Sequence, residues 1–241
     1  MNNKSSFARC LIITALIGAG IYYIDTANSD PWAKKAAVET LDKMSAISRV
    51  KNEVPNWPPS AGRIFPSVSL FNHEGERFNV EALRGKPTLI EVVAMTCAGC
   101  QGFSGGNRYG GFQGFAVQDG LKSIEEYYRE YTPGLELHDT RINFVQLIIY
   151  NLELEAPTAK DLADWRKHFQ LDKHPNSHVV SGGVALANQA SFKMIPGFIL
   201  LDSELKVLFD STGHQPRHNL FTELLPAIPA LLPKVTPREF K

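Results

Sequence analysis

Cysteine is scarce in this chain, and neither sign of charge is in excess. Three cysteines in 241 residues are too few for a disulfide-stapled scaffold, which uses more of them at wider spacing. Twenty-five basic and 25 acidic side chains leave a formal charge of zero, so the electrostatic footprint of a nucleic-acid binder is missing. No internal repeat occurs, and no second C-x-x-C is present to complete a tetrahedral zinc site. The most apolar run, Cys10 to Ile24, has fifteen residues, short of the roughly 20 that span a bilayer. What is there, 44% apolar and 21% charged residues, is the composition of an ordinary globular protein of one domain with appendages or two small ones.

The ends are informative. Lys4 and Arg9 precede the apolar run and Asp25 and Asp30 follow it, a secretory orientation. Gly18 and Gly20 are small enough for a cleavage site, but Asp25 suits a cut after Ala27 poorly, which favours an uncleaved anchor. Phe7 and Ala8 lengthen the run, and Cys10 within it reads as a small apolar residue. The expectation is a single-pass inner-membrane protein with its C-terminal domain in the periplasm. Ala33, Ala37, Leu41, Met44 and Ile47 recur every three or four residues and predict an amphipathic stalk helix over 31–50. Three prolines in 54–62 then read as an extended linker. This divides the chain into an anchor with its flanks (1–30), a stalk and linker (31–62), a compact domain (63–235) and a tail (236–241).

Within the domain, 66–72 and 76–80 are expected as short strands around His73-Glu74-Gly75, and 88–94 as a buried strand running into Cys97. A helix over 119–131 capped by Asp119, a buried strand over 142–150 and a helix over 158–169 capped by Thr158 follow. A hairpin of 197–202 with 206–210, and a helix over 219–232 interrupted by Pro226 and Pro229, complete the series.

The segment LIEVVAMTCAGC (89–100) has a buried strand, an acid within it and a C-x-x-C at a helix start. About a hundred residues later come MIPGFILLD (194–202) and KVLFDSTG (206–213). In this order the residues resemble the thioredoxin superfamily over about 63–232. That resemblance implies a central mixed sheet flanked by helices and thiol–disulfide exchange with protein clients and a membrane or periplasmic redox partner, with no diffusible cofactor or metal. Cys97 at a helix N-terminus is the expected nucleophile and Cys100 the resolving thiol. The alternative, an inert pair or a stable disulfide, is weak because so small a loop adds little stability. Glu91 stands where the family carries a buried acid and is expected to take the Cys100 proton; an acid solvated at the sheet margin is the equal alternative. Pro196 is expected to be cis, with Ile195 offering its main chain to a substrate strand; a trans proline opening a strand is the other reading.

Three departures from the family pattern stand out. Thr96 replaces a common Trp, Ala98-Gly99 is a neutral dipeptide that favours neither a high nor a low potential, and six glycines fall among the sixteen residues 101–116. Phe103, Tyr109, Phe112 and Phe115 interleave with those glycines, so the stretch is expected to be a mobile aromatic loop that recognises clients, or else a packed insertion. The P-x-x-x-T-x-x-C pattern of a peroxiredoxin is missing before Cys97. A thioredoxin-like copper chaperone is a second reading, with His174 or His178 joining the two cysteines, although that family separates its cysteines by three residues rather than two. Met95 and Met194 are expected as packing.

Overall fold

The computed structural model describes residues 54–233, together with Asp42. The expected membrane segment, all of the stalk helix but Asp42, and the C-terminal tail lie outside the described residues. Among the described residues, no helix is long and apolar enough to cross a membrane.

Seven strands form one sheet: β1 (Leu70–Asn72), β2 (Arg77–Phe78), β3 (Thr88–Ala94), β4 (Asn143–Tyr150), β5 (Ser177–Ser181), β6 (Gly197–Leu201) and β7 (Val207–Thr212), in spatial order β2-β1-β5-β4-β3-β6-β7. β3, β4 and β5 run parallel, whereas β6 is antiparallel to β3 and β7 to β6. This is the expected thioredoxin-like mixed sheet. All seven residues of β3 and all eight of β4 are buried, as continuous apolar runs require when helices cover both faces.

The helices are short: α1 (Ala98–Phe103), α2 (Gly106–Tyr109), α3 (Ile124–Tyr131), α4 (Ala159–His168), α5 (Gln189–Phe192) and α6 (Leu225–Leu231). Thr158 caps α4 as expected, in a capping box with Asp161. The helix expected from Asp119 starts later, at Ile124. Ser123 and Glu126 form the capping box there, while Gly120 at φ +72° turns the chain just before it. The first two strands are shorter than expected, and Val80–Leu83 is a 3-10 turn capped by Asn79. β5 was not anticipated; its five residues carry polar ends and acquire strand geometry from pairing with Phe144–Leu147. A π turn at Leu220–Leu224, capped by Asn219, precedes α6.

The proline-rich stretch expected as a linker is packed against the domain from Trp57 onward. The Trp57 indole is buried and donates to Ser191 Oγ at 2.8 Å, and the Gly62 N–H donates to the Val207 carbonyl at 2.8 Å. Burial of so large a ring anchors the segment.

Between Val92 of β3 and Thr212 of β7, β6 opens with Gly197, and the backbones approach closely there. A Cβ at position 197 would lie 2.4 Å from both the Met194 oxygen and Thr212 Cα. Gly197→Ala is therefore expected to destabilise the domain by about 2–3 kcal/mol in urea unfolding, and an unchanged midpoint would refute the close approach.

Candidate active site

β3 delivers the chain to the redox motif. After a register irregularity at Val93/Ala94, the Met95 N–H donates to the Tyr150 carbonyl at 2.9 Å and the Cys97 N–H to the Ala94 carbonyl at 3.0 Å. Cys97 is then the N-cap of α1, and its Sγ accepts the Cys100 N–H at 3.2 Å. Sulfur thus occupies the position where an oxygen side chain usually satisfies an orphan helix donor. Both cysteines are free thiols, Cys97 half-buried and Cys100 fully buried.

The environment separates the two groups. Hydrogen bonds from the Cys100 thiol and from the N–H groups of Cys100 and Gly99 hold the Cys97 thiol below its ordinary value, outweighing a burial that pushes it up. Burial raises the Cys100 thiol far above its ordinary value, and the neighbouring Cys97 and Glu91 charges act in the same direction.

Glu91 is fully buried in the middle of β3, not solvated at the sheet margin. It faces Gln146 across the β3–β4 ladder, and Gln146 Nε2 donates to Glu91 Oε2 at 2.7 Å. The same Nε2 donates to Ser104 Oγ at 2.9 Å, and the Trp165 indole N–H donates to Gln146 Oε1 at 2.8 Å. Among the described residues, Glu91 Oε1 has no partner. Burial raises this carboxyl from its ordinary 4.5 to about 8, the Gln146 bond opposing the rise and the Cys97 charge adding to it. Gln146 and Ser104 also border a cavity of about 320 Å³ between α1, α3 and the 169–174 loop.

Pro196 is cis and packs beside the pair: a Cβ at Gly99 would lie 3.4 Å from Pro196 Cγ and 3.8 Å from Cys97 Sγ. The Ile195 N–H donates to the Phe192 carbonyl at 3.2 Å, so only its carbonyl is left to offer a partner strand. Gln118 completes the rim, its N–H donating to the Ala98 carbonyl at 3.0 Å and its side chain reaching over Gly99.

The glycine-rich stretch is packed rather than a free loop, with its aromatics mostly turned inward. Phe103 packs edge-on against Phe198 and Phe112 against Trp165, both buried, while Phe115 remains 37% exposed. Buried Gln101 ties the stretch to the motif, donating from Nε2 to the Met95 carbonyl at 2.5 Å and accepting the Phe112 N–H at 2.8 Å. His168 Nε2 meets the Gly110 carbonyl at 2.9 Å.

Met95 and Met194 are buried packing. His174 stacks on His138, and His178 packs on Phe78; neither is brought to the cysteines. Two H-x-x-x-H spacings, His174 with His178 and His214 with His218, lie outside α-helices, and among the described residues no three His, Cys, Asp or Glu side chains form a metal cluster. Sequence reading singled out Cys97, Cys100, Glu91 and Pro196, and these converge. It missed Gln146, Ser104, Trp165 and Gln118; the signal for Gln146 was an amide in the middle of the apolar run FVQLIIY.

The β3–α1 unit entering a cysteine pair, with a cis-proline turn opening the adjacent antiparallel hairpin, is a thioredoxin-like fold. No protein-family profile matches the chain, and no curated protein does either. Among solved structures, the C-terminal domain of a provisionally assigned thiol-disulfide oxidoreductase from Bacteroides thetaiotaomicron is 21% identical (71% of this chain, 95% of that one, TM-score 0.44). A thioredoxin-like protein from Porphyromonas gingivalis is 17% identical (72% and 94%, TM-score 0.42). Bradyrhizobium japonicum ScoI with copper bound is 15% identical (72% and 100%, TM-score 0.41). With TM-scores below 0.5, these likenesses assign no chemistry to this chain.

The buried acid has a thermodynamic signature. Folded Glu91 keeps its proton up to about pH 8, whereas the unfolded chain releases it near 4.5. Its contribution to stability is therefore complete below pH 4.5, falls as pH rises through that window and levels off above 8. Glu91→Gln is expected to remove this slope and to stabilise the domain by about 3 kcal/mol at pH 7. Urea unfolding across the window checks it; a variant with the wild-type slope would refute the burial of the acid.

Proposed function

We propose that the chain is a thiol–disulfide oxidoreductase acting on protein clients through Cys97 and Cys100, with no diffusible cofactor. The observation that carries this reading is the asymmetry of the pair: Cys97 is accessible and favoured as thiolate, while Cys100 is buried and held as thiol.

In the reductive direction, the Cys97 thiolate attacks a client disulfide, forming a mixed disulfide and releasing one client thiolate. Glu91 takes the Cys100 proton, and the Cys100 thiolate attacks Cys97 Sγ. The Cys97–Cys100 disulfide forms as the second client thiolate leaves, two electrons having passed to the client. Every step reverses for oxidation. The cis-proline turn lies beside the sulfurs, so the Ile195 carbonyl is the main-chain group that aligns the client.

Equilibration of the full chain with defined dithiol buffers is expected to give a reversible two-electron couple. A potential near about −270 mV marks a reductant and one near about −120 mV an oxidant. Cys97→Ser is expected to abolish exchange, and Cys100→Ser to accumulate a mixed disulfide with oxidised substrate. Failure to form a reversible couple overturns the reading.

The chain is further proposed to be held at the inner membrane through residues 10–24, with the redox domain in the periplasm. The support is the Lys4/Arg9 and Asp25/Asp30 asymmetry around that run. Carbonate-washed membranes are expected to retain the full chain and to release one starting after residue 30; recovery of the full chain in the wash refutes the anchor.

A further inference from the structure

Gln146 is a fully buried amide whose hydrogen-bonding groups are all engaged: two N–H donors to Glu91 and Ser104, and one oxygen accepting from Trp165. An indole N–H can only donate. The amide therefore has one orientation: turned over, it would set N–H against the Trp165 N–H and bring its oxygen against the Glu91 carboxylate. Trp165 is itself fully buried and packs edge-on with Phe112 and Phe169, so the donor that fixes the amide is held in place by α4.

The consequence falls on the acid. Oε2 of Glu91 always receives the Gln146 N–H, and Oε1 is the oxygen with no partner among the described residues. Among the described residues, the other elements around Glu91 bring no competing charge: β6 sets Phe198 opposite it, β4 brings Gln146, itself held by Trp165 of α4, and α1 brings Ser104 and the two thiols, the ionisable groups that act with it.

We propose that Gln146, oriented by Trp165, is a positioning residue for the resolving half of the exchange: it occupies Oε2 of Glu91 and leaves Oε1 as the atom that takes the Cys100 proton. This rests on the thiol-exchange reading. Glu91 passes from carboxylate to carboxylic acid as Cys100 passes from thiol to thiolate, and no further reactant is required. An amide is suited to this because it supplies a donor without a charge. A lysine there would hold the acid ionised and too weak to take a proton from so poor an acid as buried Cys100.

Ellman's disulfide, applied to the full chain, separates the two halves. The first thionitrobenzoate released reports attack by Cys97, and the second reports attack by Cys100. Wild type is expected to show a second phase that quickens as pH rises through the ionisation of Glu91, with a midpoint below about 8 because the Cys97 charge that adds to that value is consumed in the mixed disulfide. Gln146→Leu removes the bond that favours the carboxylate, so that midpoint should rise by about 1 pH unit, with the second phase roughly tenfold slower at neutral pH and the first phase unchanged. Trp165→Phe, which lets the amide turn, should move the midpoint the same way by less, and serves if the leucine variant does not fold. In a Glu91→Gln background neither change should alter the second phase further.

If the variants keep the wild-type midpoint and merely unfold at lower urea, Gln146 is structural and the proposal falls while the exchange reading stands. A wild-type protein that releases no second thionitrobenzoate overturns the exchange reading and this proposal with it.

Discussion

The strand β3 is hydrogen-bonded on both sides and buried on both faces, and the active site is arranged around that condition. Because β4 and β6 clamp it along its length, its end cannot drift, and Cys97 emerges at a fixed point over the sheet. Because both faces are dry, an acid within it has no water to ionise into. Glu91 shares one face of the pleat with Leu89 and Val93, and its single polar neighbour across the β4 ladder is an uncharged amide. The sheet thus supplies both a position for the proposed nucleophile and a dry environment for the proposed proton acceptor.

The two thiols are separated by two residues yet differ in both exposure and acidity. α1 has only six residues, so little of the difference can come from an extended helix dipole. Local surroundings account for it: Cys97, placed as a cap, collects the Cys100 thiol and the N–H groups of the first turn, whereas one turn on, Cys100 is fully buried beside an acid. In the proposed exchange, nucleophile and resolving group are assigned by where the helix begins, and Cys97 is its cap.

Long buried strands were legible in the sequence because their apolar runs are continuous, and Thr158 was legible because it stands three residues before an acid. Cys97, Cys100 and Pro196 were legible from local punctuation. What escaped the sequence depended on pairing across the fold. β5 is a strand because β4 and β1 lie on either side of it, and Gln146 gains meaning only when register sets it opposite Glu91. The amide and the acid are 55 residues apart, and each alone reads as an oddity in a hydrophobic strand. The cap of α3 escaped for a different reason: Asp119 and Ser123 both suit the role, and the chain geometry at Gly120 selects the second.

The glycine-rich stretch shows how composition misleads when contact distance is the real constraint. Its glycines suggest freedom, but a Cβ at Gly111 would fall 1.8 Å from the Phe115 carbonyl oxygen, so glycine is there to let backbones touch. Gln101 fastens the stretch to the redox loop and His168 fastens it to α4, the helix that also carries Trp165. Phe112 packs on that same indole. The insertion and the Gln146 network therefore share one wall. Most of its aromatic surface holds that wall in place, while the Phe115 ring stays partly exposed and the Gln118 side chain lies over Gly99.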